Sequence, residues 1–181
     1  MNPVSGEASV STAAHQPAVR GHSADAPADA IGTAAQTEFI SFAIGDEQYG
    51  IDIMAVREIR EWADVTHLPK QPDYVRGVLN LRGVIVPIID LRCRFGQGLT
   101  ETTPLHIMII VQIKGRQVGF LADRVLDIVS FETDKIQPVP QVEADSGADF
   151  LSGLVTIGDE MIALIDLPSL LAMSPVDHPD Q

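Results

Sequence analysis

The chain has 181 residues, a formal net charge of −13 and an aromatic content of 5%. Proteins that bind nucleic acid usually present a basic face, with stacking aromatic side chains for single strands, so this composition argues against a nucleic-acid partner. The apolar runs are interrupted by Pro, Asp or Gly within about ten residues, which is too short for insertion into a membrane. The single cysteine, Cys93, excludes an intrachain disulfide framework.

The ends of the chain differ in composition from its middle. Residues 1–36 are rich in Ala, Ser, Pro, His and Gly and contain few large apolar side chains. Such a segment buries too little apolar surface to offset the entropy lost on ordering, so we predict a disordered tail. We predict a second, short flexible tail at residues 175–181 and one globular domain at residues 37–174.

A hairpin-like stretch occurs twice in this domain. Gly77–Leu91 and Gly153–Leu167 both open on Gly, run apolar to a polar tip, run apolar again and close on Ile-Asp-Leu. The first copy carries Asn-Leu-Arg-Gly at its tip (80–83), where the second carries Thr-Ile-Gly-Asp (156–159). The shared part predicts a common scaffold, and the different tip suggests where function was added.

The repeat extends upstream and defines two units, at about residues 38–95 and 106–173. Alternating apolar residues in Phe39–Ile44 and a polar turn before Tyr49–Ile53 predict an N-terminal β-hairpin in the first unit, with its counterpart in Ile109–Leu121. Many short strands in a duplicated unit indicate a mainly β fold of two small barrels. A unit of this length is marginal alone, so the two should share apolar surface and form one domain.

Other segments give less regular patterns. Val84–Ile89 is apolar at every position, which predicts a strand buried on both faces, and Pro87 within it should mark an edge or a bulge. Met54–Trp62 and Asp123–Val129 are each predicted to form one or two helical turns. Val56 and Ile59, three residues apart in the first of these, should then face the core.

The candidates for chemistry are weak. Cys93 has no neighbouring His in the sequence, and the five histidines have no metal-ligand spacing. Asp90 and Asp166 occupy equivalent positions, which is compatible with a pair of acid–base carboxylates, but each precedes a Leu as the N-cap of a short helix does. We therefore predict that the chain is not an enzyme and uses no cofactor or metal.

The first hairpin tip is the more informative surface. Gly83 should supply a positive φ for the turn, leaving Arg82 exposed on an acidic protein. Arg82 then either offers a planar, bidentate donor to a carboxylate of another protein, pairs within the chain with Glu58 or Glu61, or is simply solvated. The sequence pattern leaves these alternatives open. Trp62 either plugs a barrel end or anchors a partner.

Taken together, these features resemble the CheW family, the coupling proteins of bacterial chemotaxis arrays. The resemblance covers about Glu38 to Met173 and is most specific in Val75–Arg92. Supporting segments are Tyr49–Ile53, Val56–Ile59, Val118–Val125 and Phe150–Leu154. The family fold implies two five-stranded β-barrels around a shared core, with short helices.

The resemblance also implies a function. It implies a non-catalytic adaptor, in the cytoplasm at membrane receptor arrays, that joins the cytoplasmic tip of methyl-accepting chemotaxis receptors to the regulatory domain of the histidine kinase CheA. Kinase contact is expected around Ile107. The receptor-contact residues implied by the family are Val56, Glu58, Ile59, Gly77, Asn80 and Arg82.

One alternative keeps the fold and changes the pathway, to a coupler for a non-flagellar array in surface motility or biofilm formation. The sequence has no receiver domain after the repeat and no kinase core before it, which disfavours a CheV-type fusion and CheA itself.

Overall fold

A computed structural model describes residues 35–140 and 148–172. The predicted tails at 1–36 and 175–181 lie outside these residues, apart from Ala35 and Gln36. Within them the chain is mainly β, as predicted. The strands are β1 (Gln36–Ile44), β2 (Glu47–Asp52), β3 (Val56–Glu61), β4 (Val75–Leu81), β5 (Val84–Asp90), β6 (Ile107–Ile113), β7 (Arg116–Ala122), β8 (Arg124–Glu132), β9 (Leu151–Ile157) and β10 (Glu160–Ile165).

The helices in the described residues are short. Two are α-helical, α1 (Leu91–Arg94) and α2 (Leu167–Ala172). Single 3₁₀ turns form at Ile53–Ala55, Thr133–Lys135 and Ala148–Phe150.

The strands form two five-stranded sheets that exchange hairpins between the repeats. Sheet A has the order β8-β1-β2-β10-β9, and sheet B has the order β3-β6-β7-β5-β4. Hairpin β1–β2 of the first unit therefore completes the sheet of the second unit, and hairpin β6–β7 of the second unit completes the sheet of the first. The exchanged hairpins join their new sheets through the parallel pairs β2–β10 and β5–β7.

Each sheet is curved so that backbone hydrogen bonds link its two edges. In sheet B, Thr66, which follows edge strand β3, exchanges two backbone hydrogen bonds of 2.9 and 2.8 Å with Val78 in the other edge strand, β4. In sheet A, Gln137, which follows β8, exchanges two of 2.8 Å with Leu154 in β9. These bridges join the two edges of each sheet, which agrees with the predicted pair of small five-stranded barrels.

Three apolar clusters follow from this arrangement. One cluster lies on the inner face of the curved sheet B, and another lies on the inner face of sheet A. The largest lies between the two sheets, where Phe42 of β1 and Phe120 of β7 are both fully buried. Phe95, which follows α1, joins this shared core with its ring centroid 4.8 Å from Tyr49 and 4.6 Å from Phe150. Fully burying one large apolar side chain stabilises a fold by about 1.5–3 kcal/mol, so the shared core holds the two sheets together.

The two predicted helical segments are wrong. In the first segment the 3₁₀ turn Ile53–Ala55 leads into β3 (Val56–Glu61), and Trp62 follows that strand. In the second segment every residue after Asp123 belongs to β8. The reason is a β-bulge in each strand. In β3 the register shifts between Val56 and Glu58, so that Val56 pairs with Val111 and Ile59 with Ile109. A bulge adds one residue and so places side chains three apart on one face, which imitates helical spacing.

The predicted burial was also wrong in part. Val56 is half-buried against the shared core, but Ile59 is 41% exposed. In β5 only the second half is buried, because Val84 and Ile85 are 45% and 59% exposed. The pairing of β5 with β7 begins at Ile88, so Pro87 lies where β5 has β4 on one side and an open edge on the other. The edge position predicted for Pro87 is confirmed.

Candidate functional site

The tip of the first hairpin is a tight two-residue turn. β4 ends at Leu81 and β5 begins at Val84, so Arg82 and Gly83 form the turn, with φ of 51° and 86°. Two positive φ values at the central positions are characteristic of a type I′ hairpin turn. The Asn80 side-chain oxygen accepts a 2.8 Å hydrogen bond from the Gly83 backbone N–H and fixes the turn from inside.

Arg82 forms an intramolecular ion pair while remaining on the surface. Its Nη2 lies 3.0 Å from Oε2 of Glu58, and Glu58 also lies 3.6 Å from Nη1 of Arg60. The Arg82 side chain is 81% exposed and that of Glu58 is 24% exposed. Among the alternatives left open by the sequence, the pair with Glu58 is the one that forms. A pair this exposed contributes no more than about 1 kcal/mol, and the rest of the guanidinium faces solvent.

Five of the six implied receptor-contact residues surround or flank this pair. Val56, Glu58 and Ile59 lie on β3, and Asn80 and Arg82 lie at the end of β4. Because the sheet closes between β3 and β4, Glu58 of one strand and Arg82, directly after the other, come into contact although they are distant in the sequence. We refer to these five residues as the tip site.

Gly77, the sixth implied residue, has a structural role. Its φ is +144°, and a Cβ built at this position would lie 2.4 Å from the carbonyl oxygen of Thr66. That oxygen accepts one of the hydrogen bonds that close sheet B. Barrel closure alone therefore requires glycine here.

Ile107, the implied kinase contact, lies away from the tip. It begins β6, is half-buried, and pairs with Glu61 on one side and Ala122 on the other. In the tip site, Ile59 pairs with Ile109 and Glu58 with Ile110, which lie two and three residues further along β6, or about 7 and 10 Å along a strand.

Trp62 completes the barrel. Its side chain is half-buried and packs against the interior cluster of sheet B, and its backbone N–H donates a 2.8 Å hydrogen bond to the carbonyl of His106. These contacts favour the barrel plug between the two roles left open for this residue.

The repeated carboxylates cap helices. Asp90 is fully buried and accepts hydrogen bonds from the Thr100 hydroxyl (2.7 Å), the Thr100 N–H (2.8 Å) and the Cys93 N–H (3.2 Å), with Nη1 of Arg76 at 3.4 Å. Asp166 accepts from the Ser169 hydroxyl at 2.9 Å at the start of α2. Both side chains are occupied by donors of the fold, as the capping interpretation predicts.

The remaining candidates for chemistry are also structural. Burial, and then the negative charge of Asp90, raise the pKa of the Cys93 thiol, which lowers the fraction present as the nucleophilic thiolate. In the part of the chain that the structure describes, no three His, Cys, Asp or Glu side chains cluster as metal ligands do. Over the same residues no helix has the length and apolarity needed to cross a membrane.

A groove beside β5 was not predicted. It is lined by Val84, Ile85 and Pro87, in the part of β5 that is not paired with β7, and by Lys114 and Arg116 at the turn between β6 and β7. We call this the β5–β7 groove. The signal in the sequence was an apolar strand interrupted by proline together with a basic turn, in a chain that is otherwise acidic.

The chain matches the family model described as CheW-like domain over residues 38–174. A chemotaxis protein CheW of Rhizobium meliloti is 43% identical over 133 residues, which cover 74% of this chain and 86% of that protein. A chemotaxis protein CheW of Klebsiella aerogenes is 40% identical over 144 residues, covering 78% and 87%. The solved structure of the scaffolding protein TtCheW from Thermoanaerobacter tengcongensis is similar with a TM-score of 0.67 and 32% identity, covering 82% of this chain and 91% of that one. The chain belongs to the CheW family, the non-catalytic scaffold proteins of bacterial chemotaxis.

Proposed function

We propose that the chain is an adaptor that couples methyl-accepting chemotaxis receptors to the histidine kinase CheA, in the cytoplasm at membrane receptor arrays. The tip site binds the cytoplasmic tip of the receptor, and the surface around Ile107 binds the regulatory domain of the kinase. The names of the two relatives, both chemotaxis proteins, support this pathway over a surface-motility or biofilm array.

The observation that carries the proposal is the exposed guanidinium of Arg82, held by Glu58 at a tight hairpin turn. A positioned guanidinium binds a carboxylate through two parallel hydrogen bonds, and such charge-assisted bonds are about twice as strong as neutral ones. Ile59, 41% exposed on the adjoining strand, adds an apolar contact beside the charge. This combination suits an acidic and apolar segment of a partner protein.

The tip site and Ile107 lie at different positions along the β3–β6 pair, about 7–10 Å apart. One side of a standard protein interface covers about 800 Å², so the receptor and the kinase must approach this strand pair from different sides to be bound at once. Coupling between two partners requires distinct sites on one scaffold.

The test is Arg82→Glu, measured as receptor binding, kinase binding and receptor-dependent kinase activation. Loss of a charge-assisted hydrogen bond of about 1.5–3 kcal/mol weakens receptor binding by about 10-fold to 100-fold, while kinase binding stays unchanged. The free energy of unfolding falls by only about 1 kcal/mol, because the pair with Glu58 that the substitution removes is exposed. Lys135→Glu, an exposed substitution of the same charge outside both surfaces, is the matched control. Unchanged receptor binding by Arg82→Glu would remove the tip site from the proposal.

A further inference from the structure

Glu58 of the tip site lies between two arginines. Glu58 and Arg60 are two residues apart on β3, so their side chains lie on the same face of that strand. Nη1 of Arg60 is 3.6 Å from Oε1 of Glu58, and Nη2 of Arg82 is 3.0 Å from Oε2. Each oxygen of the carboxylate therefore faces a different guanidinium.

These three side chains carry an excess of positive charge. Over residues 35–140 and 148–172, Glu58 supplies the only carboxylate within 4 Å of either guanidinium. One carboxylate neutralises one of the two positive charges, whereas the whole chain has a formal net charge of −13. The side chains of Arg60 and Arg82 are 40% and 81% exposed. The excess charge is therefore accessible to an anionic group of another molecule.

The fold gains little from the arginine at position 60. Its 3.6 Å approach to Glu58 is too long for a good hydrogen bond, and an exposed ion pair contributes no more than about 1 kcal/mol. Arg57, on the same strand, differs because its Nε donates a 2.7 Å hydrogen bond to Oε1 of Gln112. The donors of Arg60 remain available for a partner, whereas Arg57 is held by β6.

We propose that Arg60 binds a second carboxylate of the receptor tip, beside the one bound by Arg82. A planar guanidinium binds a carboxylate through two parallel hydrogen bonds, so each arginine takes one acidic side chain. Glu58 is a positioning residue in this arrangement. Its carboxylate would repel an acidic partner if it were free, but it holds two like charges side by side. The tip site thus selects a segment with two neighbouring acidic side chains. This inference rests on the proposed function, because it takes the receptor as the partner.

The test is a charge-reversal scan with a cytoplasmic receptor fragment that contains the tip. Arg60→Glu should weaken binding of the fragment by about 10-fold or more, because a charge-assisted contact is replaced by repulsion. Arg57→Glu makes the same charge change on the same strand and is the matched control for long-range electrostatics, so it should weaken binding clearly less. Each acidic residue of the receptor tip is then replaced by arginine in turn. One replacement should restore binding to Arg60→Glu, and a different one should restore binding to Arg82→Glu.

The outcomes separate this inference from the coupling function. If Arg82→Glu binds weakly but Arg60→Glu binds as well as Arg57→Glu does, the second contact is wrong and the coupling function stands. Restoration of both variants by the same receptor replacement would show that the two arginines share one carboxylate, which also overturns the inference. Full binding by both Arg60→Glu and Arg82→Glu would remove the tip site and the second contact together. Thermal unfolding of each variant separates a loss of binding from a loss of fold.

Discussion

Hairpins β4–β5 and β9–β10 are two copies of one element, and their tips differ more than their stems. Arg82 and Gly158 occupy equivalent positions, and both have a positive φ, 51° and 63°. The left-handed region is accessible to glycine and costs other residues about 1–2 kcal/mol. The second copy therefore has the residue that suits the backbone, whereas the first copy has an arginine in a conformation that arginine disfavours. A side chain kept at a conformational cost points to a role outside the fold.

The stems of the two hairpins, unlike their tips, share a glycine and an aspartate at equivalent positions. Gly77 and Gly153 stand at the two barrel closures, and a Cβ on either would lie 2.4 Å from an atom of the closing segment. Asp90 and Asp166 both cap the helix that follows their hairpin. Residues shared by the two copies therefore maintain the barrels, and the residue that differs is the candidate for recognition.

The largest effect that we expect is a difference in stability between variants that remove one or the other capping carboxylate. Asp90→Ala leaves Arg76 and both donors of Thr100 without their buried acceptor, and breaking a buried charged pair costs about 3–5 kcal/mol. Asp166→Ala removes a half-buried cap and costs about 1 kcal/mol. Urea denaturation gives the free energy of unfolding of each variant. Equal losses would mean that the buried network around Asp90 adds nothing to its capping role.

The second effect is a difference in stability between the alanine variants of Gly77 and Gly153, the glycines at the two barrel closures. In Gly77→Ala the new Cβ meets the backbone oxygen of Thr66 at a positive φ, so overpacking and backbone strain combine to a loss of about 3 kcal/mol. In Gly153→Ala the new Cβ meets Cγ2 of Ile136 at 2.4 Å and the backbone oxygen of Gln137 at 3.0 Å, but the backbone is outside the left-handed region. Overpacking then acts without backbone strain, and the loss is about 2 kcal/mol.

Gly83→Ala is the control for this pair. Its φ is +86° but no atom lies within 4 Å of the Cβ position, so it reports backbone strain alone, about 1 kcal/mol. If Gly77→Ala destabilises the protein no more than Gly83→Ala, the close approach to Thr66 is not what requires glycine.

The sequence predicted the mainly β class, the two barrels and both caps, because a strand period of two and a cap before a short helix are local features. It did not predict that β3 and β8 are strands. Each contains a bulge, and the bulge places Val56 and Ile59, or Val125 and Ile128, on one face at a spacing of three. A period of three within a short window reads as helix, and only the partner strand distinguishes the two.

The site was predictable only in part for a similar reason. The mismatch between the two copies singled out the first hairpin tip from the sequence pattern, but only the family resemblance favoured Arg82 as a contact over an internal pair or a solvated side chain. The pair with Glu58 joins residues 24 positions apart, and it forms because sheet B closes between β3 and β4. Local sequence patterns do not predict that β3 and β4 come together. The positive φ of Arg82 was visible in principle, since the other copy has glycine at the same position.

The smallest expected effect is the sharpest test of the comparison. Arg82→Gly relieves about 1 kcal/mol of backbone strain and loses an exposed ion pair worth about 0.5 kcal/mol, so the protein becomes about 0.5 kcal/mol more stable. Gly158→Arg imposes the same strain, and Asp127, which has the place in β8 that Glu58 has in β3, offers the new arginine a shorter acidic partner. This substitution therefore costs about 0.5–1 kcal/mol. Receptor binding should fall in Arg82→Gly and stay unchanged in Gly158→Arg, with urea denaturation and receptor binding measured on the same samples. An Arg82→Gly variant that is clearly less stable would show that Arg82 is retained for the fold, because its pair with Glu58 would then outweigh the strain. A variant that is more stable yet does not bind would show that the first hairpin carries arginine at the expense of its own stability, as a recognition residue does.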